Sequence, residues 1–457
     1  MPEHDTVGAV ERHTGLFQPE IVLPVQQLVQ RSSDDVPEKR LMLAILDDAV
    51  RSFQGLRLAR RNRHRRLFND AKDWLSSTDT GWPFSFERIC QVLELDASYL
   101  RRGLSQWHAR QLAHLISANA ATLSAPQLES RIRAVGGAAQ TAPRNLWALV
   151  LAGGDGTRLQ DLTRAITGRP IPKQYCRILG GRSLLEATLS RCRCFAPPHR
   201  TIVIVNRDHL KVSGDQLRGL PAANVIVQPR NRDTGPGVLL SLFFLARRQP
   251  SAIVALFPSD HYVRNERAFA QAVVRASHIV AQFPEKLAVL GFPPQYPEPG
   301  YGYILPGRAL RTRSRIRDAF DVARFIEKPG AELARRLLAS GALWNSFVIV
   351  FRLRRLLDLL QATVPDKFAQ MAMLRGHPEG AAAIYRDLAP WNFSSQVLGR
   401  IAEHLIVLRV EEAHWSDWGT LESIEQTLSL LDRKPPRSAA GTSRSRPTQM
   451  RATAPRH

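Results

Sequence analysis

An apolar run from Leu146 to Ala152 opens into Gly153-Gly154-Asp155-Gly156, and Thr157 and Arg158 follow at once. Glycines at 153, 154 and 156 let the backbone approach a ligand where a Cβ would collide, and successive free N–H groups in such a turn make a nest for an anion. Arg158 adds a fixed, positively charged fork for phosphate oxygens. The stretch is not a P-loop, which needs Lys and then Ser or Thr after its last glycine. Nor is it the dinucleotide fingerprint, because Leu159 stands where a third glycine belongs. The residues predict a phosphate-binding loop of another kind.

Downstream, PIPKQ puts Lys173 on a proline-stiffened segment, and FPSDH ends an apolar run with Asp260. A carboxylate at the carboxyl end of a central strand, in a site otherwise rich in positive charge, suits a Mg²⁺ ion bridging nucleotide phosphates. Taken singly, a Lys or an Asp is more often a surface residue. His261, beside Asp260, reads as a packing residue or a support for the carboxylate rather than as a base.

The elements that must hold these loops are strand-like runs at 146–152, 201–205, 224–228, 252–257 and 287–292, separated mostly by helical stretches, notably 183–194, 236–247 and 266–282. Such alternation predicts an α/β fold: a mixed, mostly parallel sheet with helices on both faces, binding ligands beyond the carboxyl ends of its strands. Function is therefore expected in the loops after Ala152, Gln228 and Phe257.

The rest of the chain divides by composition. Residues 1–35 lack periodicity, 36–133 read as a small all-α accessory domain, 134–145 as a Gly/Ala/Pro linker, 146–432 as the catalytic domain and 433–457 as a basic, disordered tail. Within the helical part, Ser85 and Asp96 can each cap a helix, the second ending near Gly103. The pair matches a helix-turn-helix DNA reader with Arg101 and Arg102 near the phosphates, and it matches any helical hairpin in a bundle, the weightier reading. The basic run Arg57–Phe68 reads as a solvated helix face ahead of a contact for an acidic partner, and Trp74 and Trp82 as core.

The chain has 457 residues and a formal net charge of +22, which predicts attraction to polyanions without choosing among nucleotides, phosphosugars, nucleic acid and anionic membranes. Its four cysteines read as reduced thiols, with one of Cys192 and Cys194 buried and the other exposed. No apolar run reaches the ~20 residues of a membrane span. These features predict a soluble, cytoplasmic protein that does not enter a membrane.

The order of the motifs is more specific than any one of them. LAGGDGTRL, PKQ, QPRNRDTGP (Gln228–Pro236), FPSDH, GYGYI (300–304), FIEKP (325–329), LWNS (343–346) and WSDWGT (415–420) together resemble the sugar-1-phosphate nucleotidylyltransferases, most closely the mannose-1-phosphate guanylyltransferases. The resemblance spans about residues 146–432. It implies a Rossmann-like, GT-A-like nucleotidyltransferase core in which a sugar-1-phosphate, here mannose-1-phosphate, attacks the α-phosphorus of GTP and expels pyrophosphate.

Carried over by position, Gly153, Gly154, Gly156, Thr157 and Arg158 match the loop that wraps the triphosphate, and Lys173 the lysine that stabilises the transferring group. Gln228, with Asn231 and Thr234 of the NRDTGP turn, matches the segment against base and ribose. Asp260 and Asp417 match the two Mg²⁺ carboxylates, and Gly302, Glu327, Lys328 and Asn345 the sugar side. The chain departs from the pattern at Phe347 after Asn345-Ser346, at Trp418 after Asp417, and in lacking Pro-Leu after the arginine loop. Phe347 and Trp418 are expected to border the sugar pocket.

The alternative is a regulator that binds a nucleotide sugar while the basic helices contact DNA, although a pure sensor has no physical need of both Asp260 and Asp417. A third reading has the apolar helix faces docked on the core or on a second subunit in a homo-oligomer.

Overall fold

The computed structural model describes residues 37–54, 62–120, 141–311, 316–374 and 381–431. The expectations for 1–35, for the tail 433–457, for most of the linker and for the start of the basic run lie outside them.

Among the described residues four helices come first: α1 Pro37–Gln54, α2 Asn62–Ser76, α3 Phe86–Val92 and α4 Ala97–Ala120. Their apolar faces meet in one core, where Leu46, Phe53, Phe68, Ile89 and Leu104 are buried. Ser85 and Asp96 cap α3 and α4 as their types predict, accepting the Arg88 and Tyr99 N–H groups. Helix α4 does not end near Gly103 but runs on to Ala120. A glycine inside a helix costs about 1 kcal/mol, and here that cost is outweighed because Leu112 and Ile116, further along, bury against the rest of the chain.

Arg101, expected near phosphates if the pair read DNA, is committed inside the bundle. Its guanidinium donates to Leu75 O, Ser77 O and Glu87 Oε1 at 2.6–2.7 Å and lies over the Phe86 ring. Trp74 is partly buried, with its indole N–H on Phe84 O, whereas Trp82, expected in the core, is 53% exposed. All four cysteines are free, and Cys192 is buried while Cys194 is exposed.

The second part begins with β1 Leu146–Leu151, then α5 Gln160–Thr167, α6 Leu184–Cys192, β2 Thr201–Asn206, β3 Val225–Gln228, α7 Thr234–Arg248 and β4 Ile253–Pro258. Strands β3-β2-β1-β4 lie in that order, and every pair is parallel. Next come β5 Tyr262–Val263, α8 Glu266–Gln282, β6 Leu287–Phe292, β7 Gly302–Ala309, β8 Ala319–Glu327, β9 Leu343–Arg352, α9 Leu353–Thr363, β10 Leu405–Arg409, β11 Trp415–Ser416 and α10 Leu421–Leu431. The sheet continues β4-β9-β6-β10-β8-β7, and in this half only β6–β10 is parallel.

The sheet is therefore mixed, as expected, but "mostly parallel" describes its first half alone. Strands β7 and β8 escaped the sequence pattern because they bury only some of their residues and pair with each other in antiparallel register. Alternation along β1 covers both faces: Ala148 and Val150 pack with α6 and α8, while Trp147 and Leu149 pack with α7 and α9. Among the described residues no helix is long and apolar enough to cross a membrane.

Candidate active site

The carboxyl ends of β1, β2, β3 and β4 bring their loops to one edge of the sheet. Gly156 stands in the left-handed region at φ 60°, and a Cβ there would lie 3.0 Å from the Lys173 backbone nitrogen, so the glycine loop and the lysine turn approach in a way only glycine allows. Thr157 and Arg158 follow on one 3₁₀ turn that leads into α5, a helix start whose N–H groups favour anions.

Amide side chains from neighbouring elements hold this loop in shape. Asn206, the last residue of β2, donates to Gly153 O at 2.7 Å, and Gln174 donates to Gly154 O at 2.6 Å. Gln228 is buried and donates to Asn206 Oδ1, while Asn231 donates to Asp155 Oδ2 at 2.9 Å. Thr234 accepts the Phe393 N–H. Gln228 and Asn231 thus meet the glycine loop or its flank through internal bonds, whereas Thr234 bonds away from it, to the turn at Phe393.

Lys173 is 7% exposed. Its ammonium donates to the backbone oxygens of Asp417 (2.5 Å) and Trp418 (2.9 Å) and lies 3.2 Å from Asp260 Oδ2. The Asp417 carboxylate accepts from Gly419 N at 2.8 Å and from the Tyr301 hydroxyl. Burial works to raise the Asp260 pKa, but Lys173 and then His261 outweigh it and hold the carboxyl below its usual range.

Trp415 donates its indole N–H to His261 Nδ1 at 3.1 Å, which leaves the ring's proton on Nε2, facing Asp260. Burial, opposed by Asp260, lowers the His261 pKa to about 4, so the ring is neutral near pH 7 and supports the site rather than acting as a base. Because the folded state binds this proton more weakly than the unfolded chain, the stabilisation is complete above pH 6.5 and is lost as pH falls through about 4. Unfolding midpoints should fall across that window, and His261→Gln should flatten the fall; an unaltered slope in the variant would assign the acid sensitivity elsewhere.

Beside this cluster lies a cleft of about 120 Å³ whose lining includes Tyr301, Gly302, Glu327, Asn345, Phe347 and Asp417. Among the described residues Glu327 Oε2 is buried with no hydrogen-bond partner, and burial raises its pKa. A Cβ on Gly302 would fall 2.7 Å from that oxygen, so the glycine leaves the carboxyl its place. Asn345 Oδ1 accepts the Phe347 N–H and so holds Phe347 at φ 57° on the cleft wall. Trp418, expected to border the same pocket, instead turns into the core: it is 1% exposed and stacks on Tyr262 with centroids 4.8 Å apart.

Of the residues singled out in the sequence, Lys173, Asp260 and Asp417 converge directly, and Gly302, Glu327 and Asn345 line the adjoining cleft. Arg158 and Lys328 are exposed. Tyr301, Asn206 and Asp155 were missed as site residues, although Tyr301 and Asp155 lie within motifs already conspicuous in the sequence.

Asp260 and Asp417 carry oxygen donors, the chemistry that suits Mg²⁺, whereas the Asp417 and Trp418 carbonyls are taken by the Lys173 ammonium. Among the described residues no group of three or more His, Cys, Asp or Glu gathers into a closed cage.

A parallel βαβ half with a glycine-rich loop, a buried lysine between two carboxylate-bearing turns and a cleft beyond them define an α/β fold of the nucleotidyltransferase kind. The nucleotidyl transferase family profile matches residues 147–433, and the chain belongs to that family.

Among its relatives, the mannose-1-phosphate guanylyltransferase ManC of Salmonella typhimurium is 32% identical over 294 residues, 61% of this chain and 58% of that protein. The xanthan biosynthesis protein XanB of Xanthomonas campestris is 35% identical over 220 residues, 48% of this chain and 44% of that protein. The chain spans about half the length of the curated relatives it matches. Among solved structures, a Thermus thermophilus protein described as a mannose-1-phosphate geranyltransferase superposes with a TM-score of 0.55 at 28% identity, covering 64% of this chain and 80% of that one.

Proposed function

We propose that the chain transfers the guanylyl group of GTP to mannose-1-phosphate, giving GDP-mannose and pyrophosphate, with Mg²⁺ held by Asp260 and Asp417. The observation that carries this reading is the meeting of Lys173 with Asp260 and the Asp417–Trp418 turn beside a cleft that holds an unpartnered carboxyl oxygen. The names of the relatives favour guanine and mannose over other pairs.

In this reaction a phosphate oxygen of the sugar-1-phosphate bonds to the α-phosphorus of the triphosphate as the bond to the β-phosphate bridging oxygen breaks. The attacking monoester has a second pKa of about 6 and is mostly dianionic near pH 7, so no strong general base is needed. A neutral His261 is consistent with that. Lys173 supplies buried positive charge next to the transferring group, and Arg158, exposed on the loop, can fold over the phosphates. When bound, Mg²⁺ would offset the repulsion between the two anions and the charge growing on pyrophosphate.

On the sugar side, Glu327 Oε2 is an acceptor awaiting hydroxyl donors. A hydrogen bond to a charged group contributes about 1.5–3 kcal/mol, so Glu327→Gln should raise the KM for mannose-1-phosphate by about ten- to a hundredfold and leave that for GTP nearly unchanged. An equal rise in both constants would move Glu327 out of the sugar site. The reading as a whole is tested by pyrophosphate release across a grid of nucleoside triphosphates and sugar-1-phosphates, with Asp260→Asn and Asp417→Asn as controls. Silence across the grid overturns it.

A further inference from the structure

The N-terminal helices do not merely precede the catalytic part; α4 shares a buried core with it. Leu112 and Ile116 of α4 pack with Leu159 of the arginine loop, Cys176 behind the lysine turn, and Trp418 and Ile424 around the second aspartate. One helix therefore backs three of the segments that build the site.

Two polar pairs fix the same junction. His108 Nε2 meets Glu425 Oε1 at 2.7 Å with the histidine 6% exposed, and Lys72 Nζ meets Glu422 Oε1 at 2.9 Å. Burial works to raise the Glu422 pKa, but Lys72 outweighs it and holds the carboxyl below its usual range. Both glutamates sit on α10, the helix that follows the Asp417–Gly419 turn.

From α10 the contacts run straight to the reacting groups. Thr427 accepts the Trp418 indole N–H at 3.0 Å, Trp418 stands at φ 47° with its ring stacked on Tyr262, and its carbonyl accepts from Lys173. A tryptophan in the left-handed region is strained and persists only where its surroundings over-determine it. Here α10 and α4 supply those surroundings.

We infer that the N-terminal helices are a positioning element for turnover: Lys72 and His108, through α10 and Trp418, hold the Asp417–Trp418 carbonyls where the Lys173 ammonium meets Asp260. The inference rests on the nucleotidyl-transfer reading for its kinetic half, while its structural half stands on the contacts alone. Lys72 and His108 are positioning residues and touch no substrate.

The test uses the full chain with Lys72→Glu, Glu422→Lys and the double swap. Two quantities are read: turnover of GTP with mannose-1-phosphate, and deuterium uptake of residues 415–420. Each single variant should lower kcat by about fivefold or more while the KM for GTP moves less than about twofold, as the loss of one partly buried ion pair acting through a turn predicts. Uptake at 415–420 should rise in each, and the double swap should restore both readouts. Single variants with unchanged kcat and uptake overturn the inference, as does a swap that restores neither.

If Lys72→Glu does not fold, His108→Gln carries the same expectations and the same refutation. If the unaltered chain turns over no substrate pair, the proposed function fails and uptake alone decides the positioning role: a rise that the swap reverses supports it, and no change overturns it.

Discussion

Asp260→Asn should reduce pyrophosphate release at saturating substrates by about a thousandfold while leaving GTP affinity within about threefold, because a metal-held charge contributes several kcal/mol in the transition state and little in the ground state. The amide keeps the size of the carboxylate, so the site should not collapse. What disappears is the negative charge opposite Lys173, 3.2 Å from its ammonium, and one of the two carboxylates proposed for Mg²⁺. Asp417→Asn should act in the same direction, with its remaining oxygen still able to accept from Gly419 N. Measured kcat against calorimetric nucleotide affinity separates the two effects. A variant within tenfold of the parent in kcat would remove Asp260 from the chemistry.

Lys173 and Asp417 lie 244 positions apart and meet through a hydrogen bond, yet each was visible in the sequence because it sits in a short motif beside an element end. The glycine loop was legible for the same reason, since glycines between a strand and a helix stand out. Helix α8 could be read with its bounds because Asn265 caps it and its apolar face repeats regularly.

What escaped was fixed by tertiary context. Trp418 and Phe347 occupy similar places after a polar motif residue, and both take positive φ. One lines the cleft and the other enters the core, and only the presence of α4 behind the Asp417 turn decides between those fates. The sequence pattern makes α4 too short because Gly103 resembles a stop signal, and the burial that overrides it comes from residues more than forty positions further along the chain. Asn206 carries no local signal, and Tyr301 sits in a conspicuous motif without a role of its own: both acquire meaning only when Gly153 and Asp417 arrive beside them.

Lys173→Met should have two separable consequences. Turnover should fall by about a hundredfold or more, the scale seen when one preorganised group facing developing charge is removed. Stability should fall as well at neutral pH, because deleting the buried lysine leaves the partly buried Asp260 carboxylate without its cation, a loss that solvent at the carboxylate moderates.

The pH dependence identifies the cause. In the parent, Lys173 holds the Asp260 pKa below its usual value, so the pair stabilises the fold above pH 3.8 and that contribution is lost as pH falls through the lowered pKa. In the variant, burial acts on Asp260 with less opposition and its pKa should rise, so the penalty appears at neutral pH and fades on acidification. The stability gap between parent and variant should therefore narrow as pH drops from 7 toward 4, and adding Asp260→Asn to Lys173→Met should recover part of it. A gap that is constant with pH and unaffected by the second substitution would mean that the lysine stabilises through packing of its aliphatic stem, and Asp260 would then need another explanation for its lowered pKa.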